Sequence, residues 1–306
     1  MIKKSTAFGE EMTAIAIKNR DVVFVDTDMV YACGLAPMLE AVPDQVFNVG
    51  IAEQNAFNVA AGLATCGKTA VAVSFAVFTS TRAADQLRNT TCYNNLNVKA
   101  IGTHAGLETG EDGGTHQALE DIAILRTFPN MKIFSPSTPE QTRKLTRIML
   151  ETYGPFYLRL TRAAAEEFYD AGDEFKLGGS VRFGDGTDAA ILAHGSMVEK
   201  ALKAQDQLKD AGINVRVYDM YSIKPIDEDA IIEAAKDTKG LVCVEDHSVY
   251  GGLGGCVSEI TASKIPAKVM RIGVNDIYGR SGDVEGLFKM FGLTVENIID
   301  TVKSIQ

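Results

Sequence analysis

The chain has 306 residues, 46% hydrophobic and 23% charged, and a mean hydropathy of +0.01, the composition of a globular protein with ample material for buried cores. That length is more than one core comfortably fills, so two domains are expected. The formal net charge of −10 and pI near 5.0 give no general attraction to nucleic-acid phosphates or anionic lipid, so neither nucleic acid nor membrane is expected as a partner.

The opening MIKKSTAFGEEMTAIAIKNR lacks the continuous apolar core of a secretory signal, and no later run is long enough to span a bilayer. A cytoplasmic location is the expectation. The five cysteines, Cys33, Cys66, Cys92, Cys243 and Cys256, are widely spaced with no CxxC pair. They read as reduced, mostly buried thiols and not as a disulfide framework or zinc site.

In chain order, the first half predicts strands at 22–26, 46–50, 70–76, 98–102, 131–136 and 156–160. Helices are predicted between them, at 7–19, 52–66, 81–93 and 137–151. Apolar strands alternating with amphipathic helices predict an α/β fold with a mostly parallel sheet covered on both faces. From about 163 to 187 acids and glycines interrupt the rhythm, as a linker would. The alternation then restarts in a second, smaller α/β unit with strands at 189–195, 215–220, 240–246 and 268–274. The boundaries drawn are 1–165 for the first domain, 166–187 for the linker and 188–306 for the second domain.

Three stretches carry candidate chemistry. In NVGIAEQNAFNVAAGLATCG, Glu53 is the only charged side chain between Asp44 and Lys68, and it stands where a strand hands over to a small-residue helix. It reads either as a helix N-terminal carboxylate favoured by the dipole or as a buried catalytic carboxyl tuned by its surroundings. In SFAVFTSTRAADQLRN, Phe75 and Phe78 read as core aromatics or as a platform for a ligand ring. Residues 102–117, GTHAGLETGEDGGTHQ, gather His104 and His116 with Glu108, Glu111 and Asp112. Neither HxxxH nor HExxH spacing is present, which argues against a metal site.

These stretches, in order and spacing, together with GPFYLRLTR, closely resemble the pyrimidine-binding domain of the transketolase family. VCVEDHSVYGGLGGCVSEI resembles that family's C-terminal domain. The resemblance covers essentially the whole chain but only the C-terminal half of a full-length transketolase, so it implies the C-terminal subunit of a split, two-chain enzyme. The implied fold is a thiamine diphosphate-binding pyrimidine domain followed by a smaller α/β C-terminal domain. The implied activity is transfer of a two-carbon ketol unit from a ketose to an aldose through a thiamine diphosphate carbanion.

Carried over residue by residue, Glu53 matches the glutamate that bonds N1′ of the aminopyrimidine, and Phe75 and Phe78 match aromatics at that ring. Asp28 matches an acid near the thiazolium. His116 and His104 match residues facing the sugar, His104 nearer its distal end. Asp112 matches a residue reading an aldose hydroxyl, and Arg162 one that binds the substrate phosphate. The catalytic set is thus Glu53, His116 and His104.

Departures bound the reading. The family holds Mg²⁺ and the diphosphate through GDG and a later asparagine. Here the only GDG, Gly184–Gly186 with Asn214 downstream, lies in the linker and reads as a turn. No metal ligand is therefore assigned to this chain. The resemblance implies an N-terminal partner subunit that holds Mg²⁺ and shares the cofactor, in a two-plus-two heterotetramer. Ser5, beside Lys3 and Lys4, replaces a family arginine at the phosphate, and Thr81 replaces a tyrosine at the cofactor ring, which leaves the sugar open; His104 and Arg162 are retained, so a phosphorylated sugar is favoured, with an unphosphorylated or branched sugar as the alternative. Glu245, Asp246 and His247 receive no catalytic role. The competing readings are a 2-oxoacid dehydrogenase beta subunit or deoxyxylulose phosphate synthase-like enzyme, and a non-catalytic assembly or regulatory subunit.

Overall fold

The computed structural model describes residues 1–306. A short strand β1 (Ile2–Lys3) precedes α1 (Lys4–Lys18), β2 (Val22–Asp26), α2 (Ala36–Ala41), β3 (Val46–Asn48), α3 (Glu53–Thr65), β4 (Thr69–Phe75) and β5 (Val98–Thr103). The first half ends with α4 (Asp121–Arg126), β6 (Lys132–Phe134), α5 (Pro139–Glu151), β7 (Phe156–Arg159) and β8 (Ala164–Ala165). The second half runs β9 (Val181–Phe183), β10 (Ala189–Ala193), α6 (Met197–Asp210), β11 (Val215–Asp219), β12 (Ser222–Lys224), α7 (Glu228–Asp237) and β13 (Leu241–Ser248). It closes with α8 (Leu253–Lys264), β14 (Val269–Val274), α9 (Val284–Phe291) and α10 (Val295–Lys303).

Every position of β2 is apolar until Asp26, because both of its faces are covered. Val22 and Phe24 join the core formed with Phe8 and Met12 of α1 and Leu145 of α5. Val23 and Val25 join the opposite core, with Ala56 and Phe57 of α3. The first sheet has the order β12-β6-β7-β5-β4-β2-β3, parallel throughout except for β12. The second, β14-β13-β10-β11-β9, is parallel except for β9. Local signals set several helix ends. Thr138 accepts the Gln141 N–H and Pro139 opens α5, the usual cap chemistry.

The two halves make direct contact. β12, from the second half, pairs antiparallel with β6 at the edge of the first sheet. One apolar cluster joins Ala56, Leu87 and Ile122 to Ala190, Ile231 and Val257. The 166–187 segment is pinned as well. Tyr169 is buried, with its hydroxyl donating to Asp219 Oδ2 at 2.8 Å, and β9 pairs with β11. A three-residue edge strand is too short to show periodicity, so the sequence pattern did not announce it.

The helix expected over 81–93 takes a different form. Phe78–Arg82 and Gln86–Cys92 are π-helical, with the Ala83 N–H on the Phe78 carbonyl (3.1 Å) and the Tyr93 N–H on the Arg88 carbonyl (3.0 Å). Ser80 and Thr81 explain the first widening, since their hydroxyls bond back to Ala76 and Val77 carbonyls at 2.8 and 2.5 Å. π turns are frequent at functional sites.

Candidate active site

In an open parallel sheet, ligands bind outside the carboxyl ends of the strands, and the predicted residues lie there. Asp28 follows β2, Glu53 follows β3, and Phe75 ends β4 with Phe78 just beyond it. His104 follows β5 and Arg162 follows β7. Two of them hold left-handed backbone, Asp28 at φ 65° and His104 at φ 57°. Non-glycine residues persist there only where the surroundings impose it, and they cluster at functional sites.

Glu53 resolves toward the buried reading. It is 2% exposed at the first turn of α3, where it accepts from Ser74 Oγ (3.3 Å) and from Arg82 Nη1 (3.2 Å). Arg82 is half-exposed and lies over the Phe78 ring at 4.5 Å. The carboxylate is therefore held on one side by Ser74 of β4 and on the other by a half-exposed arginine. Phe75 and Phe78 are nearly parallel, 9° apart with centroids at 6.1 Å. His104 stacks on Phe75 at 4.0 Å and His116 meets Phe78 edge-on at 5.3 Å. The aromatics and both histidines thus form one wall.

His104 is buried, and its Nδ1 lies 3.1 Å from Thr103 Oγ1. Burial, reinforced by the Arg162 guanidinium, lowers its pKa to about 4, so near neutrality the ring is uncharged and Nε2 is left for a ligand. His116 is only partly buried, with Nδ1 2.9 Å from Thr115 Oγ1. Arg162 donates to the Thr109 carbonyl (2.7 Å) and meets Asp112 at 3.4 Å, both side chains substantially exposed. Such a pair stabilises the fold little and is available to a ligand. Asp28 accepts from Asn48 Nδ2 at 3.0 Å and is exposed at the same rim.

Other sequence features fall elsewhere. Gly184–Gly186 forms the turn from β9 toward β10, and a Cβ on Gly186 would collide with the Asn214 backbone. That close packing explains GDG there without a ligand. Ser5 and Lys4 are buried in α1, while Lys3 is exposed. Lys3 shares a cleft of about 360 Å³ with Arg162, Glu108 and Gly282. Glu245 accepts the Leu253 and Gly254 N–H groups at 2.8 and 2.9 Å, capping α8, and the buried His247 bonds the Ser248 carbonyl through Nδ1. Sequence reasoning missed Asp246, which reaches into the first domain and accepts the Leu107 N–H at 2.9 Å. The only signal was the glycine content of 102–117. No group of three His, Cys, Asp or Glu side chains gathers to hold a metal ion, and no helix is long and apolar enough to cross a membrane.

A buried helix-start carboxylate, an aromatic pair and two histidines thus converge at the carboxyl ends of one parallel sheet. The sequence matches the family descriptions "Transketolase, pyrimidine binding domain" over residues 1–167 and "Transketolase, C-terminal domain" over 179–298. The chain belongs to the transketolase family. It is 39% identical over 302 residues to an apulose-4-phosphate transketolase subunit of Phocaeicola vulgatus, covering 98% of this chain and 96% of that one. It is 37% identical over 284 residues to the 6-deoxy-6-sulfo-D-fructose transketolase subunit SqwH of Clostridium sp. (strain MSTE9), covering 93% and 88%. A solved structure described as "Split gene transketolase, inactive beta4 tetramer" superposes with a TM-score of 0.91 at 39% identity, over 99% of this chain and 98% of that one. This chain is accordingly the C-terminal subunit of a split transketolase, an enzyme that acts with a partner subunit.

The family is thiamine diphosphate-dependent, and the residues here fit half of that cofactor. A buried carboxylate beside a stacked aromatic pair suits the polar edge and flat face of an aminopyrimidine.

Proposed function

We propose that this chain, joined to an N-terminal subunit that holds Mg²⁺ and the diphosphate, transfers a two-carbon ketol unit from a ketose to an aldose. Both sugars would carry a terminal anionic group. The carrying observation is the convergence of Glu53, the Phe75–Phe78 pair and both histidines at the strand ends of one sheet. When bound, thiamine diphosphate supplies the electron sink for breaking and making a carbon–carbon bond beside a carbonyl.

In this reading Glu53 holds a proton at the pyrimidine, Phe75 and Phe78 orient the ring, and Asp28 flanks the reacting end. His104, uncharged, offers Nε2 to a sugar hydroxyl, and His116 exchanges a proton with the donor's oxygen. Asp112 reads a hydroxyl of the aldose. Arg162, with Lys3 in the same cleft, takes the terminal anion, for which a guanidinium fork is suited. Relatives named for a sugar phosphate and for a sulfo-sugar support an anionic end group without fixing which. The division into 1–165, 166–187 and 188–306, a two-plus-two assembly and a cytoplasmic setting belong to the same proposal. Five free cysteines support the last.

Reconstitution with the N-terminal subunit tests the whole reading. Ketol transfer should require both chains and Glu53. Calorimetry on this chain alone should show no thiamine diphosphate binding at micromolar concentration. Carbon dioxide release from a 2-oxoacid without ketol transfer would transfer the chain to the decarboxylating branch of these enzymes.

A further inference from the structure

The second domain touches the sugar-facing loop at its glycines. A Cβ on Gly106 would collide with the Asp246 carboxylate, and one on Gly113 with Ser281 Oγ. On Gly114 it would come within 2.6 Å of the Gly279 carbonyl. Gly106 and Gly113 also hold φ of 74° and 79°, so both geometry and space demand glycine. Gln117 Nε2 donates to the Arg280 carbonyl at 2.9 Å. The loop thus lies directly on backbone from the other half of the chain.

Asp246 is the fixed point of this contact. Its carbonyl accepts from Arg159 Nη2 at 2.9 Å, and Arg159 is itself buried against Asp121 at 2.8 Å. Its Oδ1 accepts the Leu107 N–H, while Oδ2 is buried without a partner. From Leu107 the connection runs on through the same turn. Thr109 donates its hydroxyl to the His104 carbonyl at 2.6 Å and gives its own carbonyl to Arg162.

We propose that Asp246 is a positioning residue for the sugar-facing side of the site, fixing through Leu107 the turn that follows His104 and holds Arg162 at the Thr109 carbonyl. This rests on the reading of His104 and Arg162 as sugar-facing. Burial, opposed by Arg159, pushes the Asp246 carboxyl up to about 7, and a carboxyl buried at such cost is consistent with a fixed task at this place.

The test uses the reconstituted two-chain complex with cofactor, comparing Asp246→Ala with Asp246→Asn, which keeps an acceptor oxygen. Asp246→Ala should raise KM for the ketose about tenfold, the scale of one lost buried hydrogen bond. kcat should change less and cofactor affinity should not change. Amide exchange at Leu107–Thr109 should quicken by about tenfold or more. Asp246→Asn should restore both KM and exchange. Unchanged KM and exchange in a folded Asp246→Ala complex, or an Asn variant no better than Ala, would overturn the proposal. Should Asp246→Ala not fold, Asp246→Ser, whose shorter side chain withdraws the acceptor from Leu107, is read identically. If the wild-type complex turns over no ketose, the sugar reading falls. Faster exchange in Asp246→Ala, restored in Asp246→Asn, would still support the clamp.

Discussion

At the carboxyl ends of the first sheet, the buried Glu53 and His104 sit behind a rim on which His116, Asp112 and Arg162 are still accessible. At the same ends of the second sheet, His194, Glu245, Asp246 and His247 form an equally rich set, yet all four are at most 2% exposed. Glu245 is spent on the start of α8, His194 Nδ1 meets Ser135 Oγ at 2.8 Å, and Asp246 is spent on Leu107. Residue type and sheet topology are alike in the two places. What separates the two places is access: Asp112, His116 and Arg162 reach solvent at the first, whereas no member of the second set does.

The sharpest way to break that comparison is to neutralise one glutamate in each place. Glu53→Gln should lower ketol transfer in the reconstituted enzyme by about 10²- to 10⁴-fold, the range of a lost acid–base group, while leaving the unfolding midpoint nearly unchanged. Glu245→Ala should do the opposite. Losing two charge-assisted bonds to buried N–H groups should cost about 3 kcal/mol of stability, read by denaturant unfolding, with the activity per folded molecule retained. A catalytic collapse in folded Glu245→Ala would mean that the second set also belongs to the site.

Acid stability probes the buried histidine of the site. The folded pKa of His104, about 4, lies below its ordinary 6.5, so the unfolded chain binds the extra proton between those values. Stability conferred by the neutral ring is complete above pH 6.5 and is lost as pH falls toward 4, by at most roughly 3 kcal/mol. Burial pushes Asp219 and Asp246 up to about 6 and about 7, and these run in the opposite sense. The informative quantity is therefore the difference between wild type and His104→Gln across pH 4 to 7 in chemical denaturation. A flat difference would place His104 in water.

Much of the fold was legible because buried parallel strands such as Val22–Asp26 and Thr69–Phe75 are continuous apolar runs between helices. The rim was legible through motif: Glu53 stood alone in an uncharged stretch, and 102–117 is specific in its spacing. What stayed hidden depends on distant partners. Nothing near Ser222 signals that β12 will pair with β6, and Leu107 and Asp246 are 139 residues apart. The π turns after Phe78 escaped notice because hydroxyl back-bonding by Ser80 and Thr81 competes locally with an otherwise good helical pattern. The glycines of 102–117 were visible, but their cause lies in the other half of the chain.

Arg162 gives the smallest and most selective expectation, because its ion pair with Asp112 is exposed and contributes little to folding. Replacing it by alanine should leave the unfolding midpoint within error and raise KM for a phosphorylated ketose about tenfold, the scale of one lost charge-assisted contact. KM for the same ketose without its phosphate should hardly move. Arg162→Lys should recover only part of the loss, since an ammonium restores the charge without the fork. Equal losses on both sugars would show that Arg162 acts instead through its bond to the Thr109 carbonyl, as part of the loop's support. The boundary between rim and scaffold would then run through Arg162 itself.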